Sequence, residues 1–326
     1  MKFGLLGRKL SHSYSPEIHS YLGSSPYALF EVEPDMIGSF LRHSDFTGIN
    51  VTIPYKKDVI PFLDELSDTA RKLGSVNTII RTPENTLIGH NTDYYGFLYL
   101  LSRMTDDIAG QKVLVLGSGG ASNTVVAVLR EKGAKPVVIS RKGENNYQNL
   151  SLHSDADAIV NTTPVGMYPH TGTAPVDLSK FPHLNWVLDI IYNPAKTQLL
   201  LDAERLGIPC ENGLRMLIAQ AKEAAEWFLG RNISDTVIES IYQTLSVKMK
   251  NIILIGMPGC GKSTVARKLS ENTGRKLIDL DQVISETEKC SIPEIFQQGG
   301  EKAFRAVETQ AISRICKESG LIIATG

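Results

Sequence analysis

Cysteine is scarce: Cys210, Cys260, Cys290 and Cys316 are the four in the chain, and no two form a C-x-x-C pair. That excludes a dense disulfide framework and a thiolate metal site, and it points to a reduced, cytoplasmic protein. The seven histidines are scattered and make no H-x-x-x-H pair, so the zinc-binding helix pattern is missing too. No apolar run is long enough to predict a transmembrane helix. Residues 1–7 carry one lysine and a short apolar run ending in glycine, unlike a secretory signal. Neither sign of charge is in excess, with 34 Lys and Arg against 35 Asp and Glu. No basic run is long enough to suggest nucleic acid or a membrane as partner. What is present is 42% hydrophobic residues over 326 positions, enough for ordinary cores in two or three domains.

The most informative stretch is 112–122, KVLVLGSGGAS, followed by a helical pattern over 123–132. It reads as the strand–turn–helix opening of a dinucleotide-binding βαβ unit. Gly117 allows the tight turn, and Gly119 and Gly120 let backbone approach a pyrophosphate at a helix N-terminus. Ser122 replaces the third glycine of the usual G-x-G-x-x-G, so any glycine turn between strand and helix is the competing reading. A second strand, 136–139, ends in Ser140-Arg141-Lys142. An acidic residue here would suit a ribose 2′-hydroxyl, whereas this basic pair suits a 2′-phosphate and hence NADP. The alternative is that both are ordinary loop charges.

Residues 2–6 predict a strand. Ser15 followed by Pro16 predicts a helix N-cap, with Gly23 closing that helix. Ser13 and Ser15 could instead hold a substrate carboxylate beside the helix N-terminus. Strands are expected over 27–32 and 46–53, the latter running into Asn50-Val51-Thr52-Ile53-Pro54-Tyr55-Lys56. Lys56 then follows a strand end and a proline expected to start a helix, a usual ligand position in α/β proteins. Strand 76–81 carries Asn77 and Thr78, a hairpin-like return follows, and Asp93 precedes a helical pattern at 94–103 that it could simply cap. Residues 214–229 place 214, 217, 218, 221, 224, 225 and 228 on one apolar helix face. Met216 and Gln220, four apart, are neighbours at its edge.

S-x-S-P, N-V-T-x-P-x-K, a G-x-V-N-T strand, N-T-D before a helix and G-x-G-G-A-S, taken in order, resemble shikimate dehydrogenase. Asn161-Thr162-Thr163-Pro164-Val165-Gly166-Met167, Asp189-Ile190-Ile191-Tyr192-Asn193-Pro194 and the run from Gly213 to Gln220 continue the likeness to about residue 245. The resemblance implies an α/β substrate domain at 1–103, completed by helices at about 214–245, and a Rossmann-type NADP domain at 104–213. It implies Lys56 and Asp93 as the catalytic pair for reversible reduction of 3-dehydroshikimate to shikimate. Ser13 and Ser15 would bind the carboxylate. Thr52, Asn77, Asp93 and Gln220 would bind the hydroxyls, with Tyr192 close by. Gly117, Ser118, Gly119, Gly120 and Ala121 would cradle the pyrophosphate. Ser140, Arg141 and Lys142 would meet the 2′-phosphate, and Ile190, Gly213 and Met216 would surround the nicotinamide. Quinate stays open as a second substrate, and monomer and homodimer both stay open.

At Met249 the pattern restarts. A strand at 252–255 leads into Gly256-Met257-Pro258-Gly259-Cys260-Gly261-Lys262-Ser263-Thr264, a complete P-loop. Gly259, Gly261, Lys262, Ser263 and Thr264 would hold ATP phosphates, with Ser263 on magnesium. The acidic pair ending strand 277–281 and the later Arg305 make 249–326 similar to shikimate kinase. By that resemblance Asp279 faces Mg²⁺, and Asp281 and Arg305 face shikimate. The alternative is plain strand-end charges. The expected fold class is therefore α/β throughout, its last part an incomplete P-loop kinase domain that would not phosphorylate shikimate with Mg-ATP. The competing overall reading is a P-loop nucleotide-binding protein with a scaffold dehydrogenase part; the presence of both Lys56 and Asp93 argues against it.

Overall fold

A computed structural model describes residues 2–10, 13–257 and 259–325. Three sheets organise the chain. The first contains β1 (Phe3–Gly7), β2 (Tyr27–Glu31), β3 (Gly48–Val51), β4 (Glu65–Leu66), β5 (Thr78–Arg81) and β6 (Leu87–His90), in the order β2-β1-β3-β5-β6-β4. β1 runs parallel to β2 and β3, while β5 and β6 form the antiparallel return that the sequence suggests. Strands β1 and β3, FGLLG and GINV, are buried along their whole length, as strands covered on both faces must be. Helices α1 (Ser15–Leu22), α2 (Ile37–His43), α3 (Asp68–Leu73) and α4 (Asp93–Ser102) belong to this part.

The second sheet, β7 (Lys112–Leu116), β8 (Lys135–Ile139), β9 (Ala158–Asn161), β10 (Trp186–Asp189) and β11 (Cys210–Asn212), is wholly parallel, in the order β11-β10-β9-β7-β8. Strands β7 to β10 are mostly apolar and rich in valine, and α5 (Gly120–Glu131) and α6 (Gln198–Arg205) help to cover the sheet. Helix α7 (Leu214–Leu229) then returns to the first sheet, and α8 (Thr236–Met249) packs on α7 and α1. Helix α4 packs on both α7 and α5. Its Phe97, Leu100 and Leu101 enter the core beneath β7, so one helix joins the two sheets and fixes the cleft between them. Gly96 is what lets α4 and α7 come so close: a Cβ there would lie 2.7 Å from the Met216 carbonyl oxygen.

The third sheet, β12 (Ile252–Leu254), β13 (Leu277–Asp279) and β14 (Ile322–Ala324), is parallel in the order β12-β14-β13. It is flanked by α9 (Lys262–Thr273), α10 (Leu280–Glu288) and α11 (Ile292–Ile315). Arg275 ties it to the end of α8 by donating to the Lys250 and Val247 carbonyls at 2.7 and 2.8 Å.

Several local expectations need correction. Tyr14, not Ser15, occupies the cap position of α1; Ser15 is its first residue, and Ser13 Oγ accepts from Ser15 N–H at 3.1 Å. Pro54 starts no helix: residues 53–59 form turns, because the buried Tyr55 ring anchors them and its hydroxyl donates to the Val32 carbonyl at 2.5 Å. Thr92 occupies the cap position of α4, so Asp93 lies inside the first turn. Helix α5 starts at Gly120 rather than 123, directly after the extended Gly119, so Gly120, Ala121 and Ser122 form its first turn. β13 ends at Asp279, which caps α10 by accepting from Gln282 N–H at 3.2 Å; Asp281 is therefore helical.

Candidate active site

Lys56 is delivered by the turn after β3. Its neighbour Tyr55 points into the core, its own carbonyl accepts from Val76 N–H at 2.8 Å, and Lys57 beyond it is exposed. Asp93 is delivered by the first turn of α4. Lys56 Nζ donates to Asp93 Oδ2 at 2.5 Å, with the side chains 26% and 14% exposed. A pair this sheltered is held more firmly than a surface ion pair, yet remains open to a ligand.

The pair lines a cavity of about 290 Å³ between the first sheet and the start of α5. Ser13, Ser15, Thr52, Asn77, Tyr192 and Gln220 line it as well, and Ile190, Gly213 and Met216 form one wall. The residues expected around a substrate therefore meet in one place, although the sequence scatters them over two hundred positions. Their amides are oriented by mutual hydrogen bonds. Asn77 Nδ2 donates to Thr92 Oγ1 at 3.0 Å, and Thr92 N–H donates back to Asn77 Oδ1 at 2.7 Å. Gln220 Nε2 donates to the Leu217 carbonyl at 2.8 Å, which leaves its oxygen facing Asn77 and Thr92.

Asn50 is a site residue that the sequence reading misses: it lines the same cavity and is 5% exposed. The available signal is a polar side chain inside an otherwise apolar strand. Asn50 accepts from the Tyr27 hydroxyl at 2.8 Å and donates to Thr78 Oγ1 at 3.0 Å. Behind it, the His19 ring stacks on Tyr27 at 4.2 Å, and burial pushes its pKa down to about 3. His19 is thus a neutral packing group.

A second cavity, about 590 Å³, lies over the C-terminal ends of the parallel strands, where this architecture binds ligands. Gly117, Ser118, Gly119, Ser140 and Arg141 line it. Gly117 has φ +104, and a Cβ there would lie 2.9 Å from Thr162 Oγ1. Over Gly119 and Gly120 the space is open, and no side chain caps α5, so free backbone N–H groups face the cleft. That arrangement fits a pyrophosphate. Ala121 lines the first cavity instead, so the start of α5 joins the two. Lys142 is exposed and does not line the cleft, which leaves Arg141 as its basic group. Thr162, Thr163, Pro164, Val165 and Tyr147 also line it; the N-T-T-P-V-G string is visible in the sequence, but no role for its residues follows from the string alone.

In the third unit, Gly259 and Gly261 have φ +78 and +88, and Lys262, Ser263 and Thr264 form the first turn of α9. Lys262 Nζ donates to the Gly256 and Met257 carbonyls at 2.7 and 3.0 Å. Pro258 lies outside the described residues. Burial raises the Asp281 pKa, helped by Asp279 and Glu308 and opposed by Lys262. Arg305 is exposed and pairs with Glu308 at 2.8 Å. Among the described residues no cluster of His, Cys, Asp and Glu could hold a metal ion, and no helix is long and apolar enough to cross a membrane.

Two stretches match family models: residues 5–79 the shikimate dehydrogenase substrate-binding domain, and residues 258–326 shikimate kinase. An NADP(+) shikimate dehydrogenase from Clostridium beijerinckii is 36% identical over 269 residues, covering 76% of this chain and 99% of that one. The chain belongs to the shikimate dehydrogenase family. Among solved shikimate dehydrogenases, a chorismate mutase/shikimate 5-dehydrogenase fusion protein from Clostridium acetobutylicum is 36% identical, with TM-score 0.71 over 76% of this chain and 97% of its own. The Thermus thermophilus shikimate dehydrogenase, solved in complex with NADP(H) and shikimate, is 29% identical, with TM-score 0.66 over 75% and 99%. The α/β fold with its Rossmann-like sheet agrees with these relatives, and the C-terminal P-loop segment agrees with the shikimate kinase family model.

Proposed function

We propose that this shikimate dehydrogenase reduces 3-dehydroshikimate to shikimate reversibly, with NADPH as reductant. The observation that carries this is the Lys56–Asp93 contact on the wall of a cavity that also gathers two serine hydroxyls and three side-chain amides. The reaction consumes 3-dehydroshikimate, NADPH and a proton and gives shikimate and NADP⁺. Bound NADPH supplies the hydride. Lys56 donates the proton to the carbonyl oxygen and stabilises the charge that develops there, and Asp93 holds the ammonium in place. Ser13 and Ser15 take the carboxylate. Thr52, Asn77, Asp93 and Gln220 discriminate the ring hydroxyls, with Tyr192 closing the side. Gly117, Ser118, Gly119 and Gly120 cradle the pyrophosphate. Arg141 and Ser140 take the 2′-phosphate, and Ile190, Gly213 and Met216 face the nicotinamide.

The same reading divides the chain into a substrate domain (1–103 with 214–245), a cofactor domain (104–213) and a kinase-like domain (249–326). In the last, Lys262, Ser263 and Thr264 would meet Mg-ATP phosphates. The test is Lys56→Ala. Loss of a general acid–base group lowers kcat by about 10²–10⁴-fold. Turnover near wild type in a folded variant refutes the assignment.

A further inference from the structure

Asp189, the last residue of β10, is fully buried and has no cation among its hydrogen-bond partners. Its two oxygens receive three donors. Asn161 Nδ2 and Ile191 N–H donate to Oδ1 at 3.1 and 3.0 Å, and Thr197 Oγ1 donates to Oδ2 at 2.7 Å. Asn161 carries the connection onward: its Oδ1 accepts from Thr163 N–H at 3.0 Å and from Thr163 Oγ1 at 2.7 Å. Thr163 lines the dinucleotide cleft, whereas Ile190 and Tyr192, which flank Ile191, line the substrate cavity. Thr197 in turn caps α6. A single carboxylate is thus bonded to the strand end that floors the dinucleotide cleft, to the loop that walls the substrate cavity, and to the helix behind that loop.

We propose that Asp189 is a positioning residue for hydride transfer, locking residues 190–192 to the β9 end that floors the dinucleotide cleft. This goes beyond the dehydrogenase reading and rests on it for the chemistry. A buried carboxylate without a cation is costly and is tolerated only where several donors converge on it. Here they converge on the hinge between the two cavities. The lock requires acceptors. An asparagine keeps them in part, because its oxygen can take the Ile191 and Asn161 donors while its NH₂ turns to Thr197, whose hydroxyl can accept. An alanine orphans all three donors.

The variants to compare are Asp189→Ala and Asp189→Asn. In the ligand-free protein, hydrogen exchange at the Ile191 amide accelerates about tenfold or more in D189A, while amides of β7 keep wild-type protection. D189N exchanges like wild type. In turnover of 3-dehydroshikimate, D189A loses about 10–100-fold in kcat, and its isotope effect with NADPH deuterated at the transferred position rises above wild type. D189N stays close to wild type in both. If D189A does not fold, Thr197→Val, which removes one donor and leaves the carboxylate, shows both changes in smaller degree. Wild-type Ile191 exchange together with a wild-type isotope effect in D189A, or in T197V where only that variant folds, overturns the proposal. The exchange arm needs no turnover. An inactive wild type therefore sinks the dehydrogenase reading without deciding this one.

Discussion

Glu223 offers a prediction whose size can be worked from the structure. It lies on α7 one turn beyond Gln220 and one turn before Trp227, whose ring stacks on His90 at 3.9 Å. Its Oε2 is buried without a hydrogen-bond partner. Burial is the main reason its pKa is raised from 4.5 to about 7; Glu226 and Asp93 add to the rise and Lys222 opposes it. The folded state therefore binds this proton more tightly than the unfolded chain does. Below about pH 4.5 the group is neutral in both states and costs nothing. Between 4.5 and 7 stability falls as pH rises, and above 7 the full penalty is in place. A rise of 7 − 4.5 = 2.5 units corresponds to about 3 kcal/mol at most. Partial solvent contact reduces that to about 1–2 kcal/mol. Glu223→Gln is neutral at every pH, so its stability relative to wild type should rise by that amount between about pH 4 and about pH 8. Urea unfolding followed by tryptophan fluorescence at both pH values measures it. A gap that does not change with pH refutes the reasoning.

Three further outcomes follow from the geometry. Arg141→Ala raises KM for NADPH by about 10–100-fold, the size of a lost charge-assisted hydrogen bond, and leaves KM for NADH nearly unchanged; an equal effect on both cofactors contradicts the 2′-phosphate assignment. Gly213→Ala would place a Cβ 2.0 Å from the Ile190 carbonyl oxygen. With backbone on both sides, it should cost about 1–3 kcal/mol and lower both Tm and kcat, whereas wild-type values would mean the close approach does not matter. Lys262→Ala removes the thermal shift produced by Mg-ATP while dehydrogenase turnover stays within about twofold; loss of turnover would show that the third unit supports the dehydrogenase.

The parallel sheet and the glycine turn were legible because their signals are local: a β-branched run, glycines, then a 3.6-residue period. The Lys56–Asp93 contact was legible only through motif order. Nothing in the local context of Lys56 says that Asp93 lies 2.5 Å away, because that distance depends on α4 docking against α7. Pairing within the first sheet hid Asn50 and Thr92, whose partners Tyr27, Thr78 and Asn77 come from distant stretches of sequence. Boundaries failed where tertiary anchors overrode local signals. Pro54 looked like a helix start, but Tyr55 buried in the core holds the segment as turns. Asp281 looked like a strand end, but Asp279 caps a helix two residues earlier. Lys142 matched the pattern of a phosphate ligand but is exposed beside the cleft that Arg141 lines.

The most direct test of the central claim is NADP⁺ reduction with shikimate, followed through NADPH absorbance, for the full chain and for Lys56→Ala, with quinate and NAD⁺ run in parallel. The account predicts NADPH formation from shikimate and NADP⁺ that collapses in the lysine variant. A folded wild-type protein that forms no NADPH from shikimate, or a lysine variant that forms it at the wild-type rate, would contradict it.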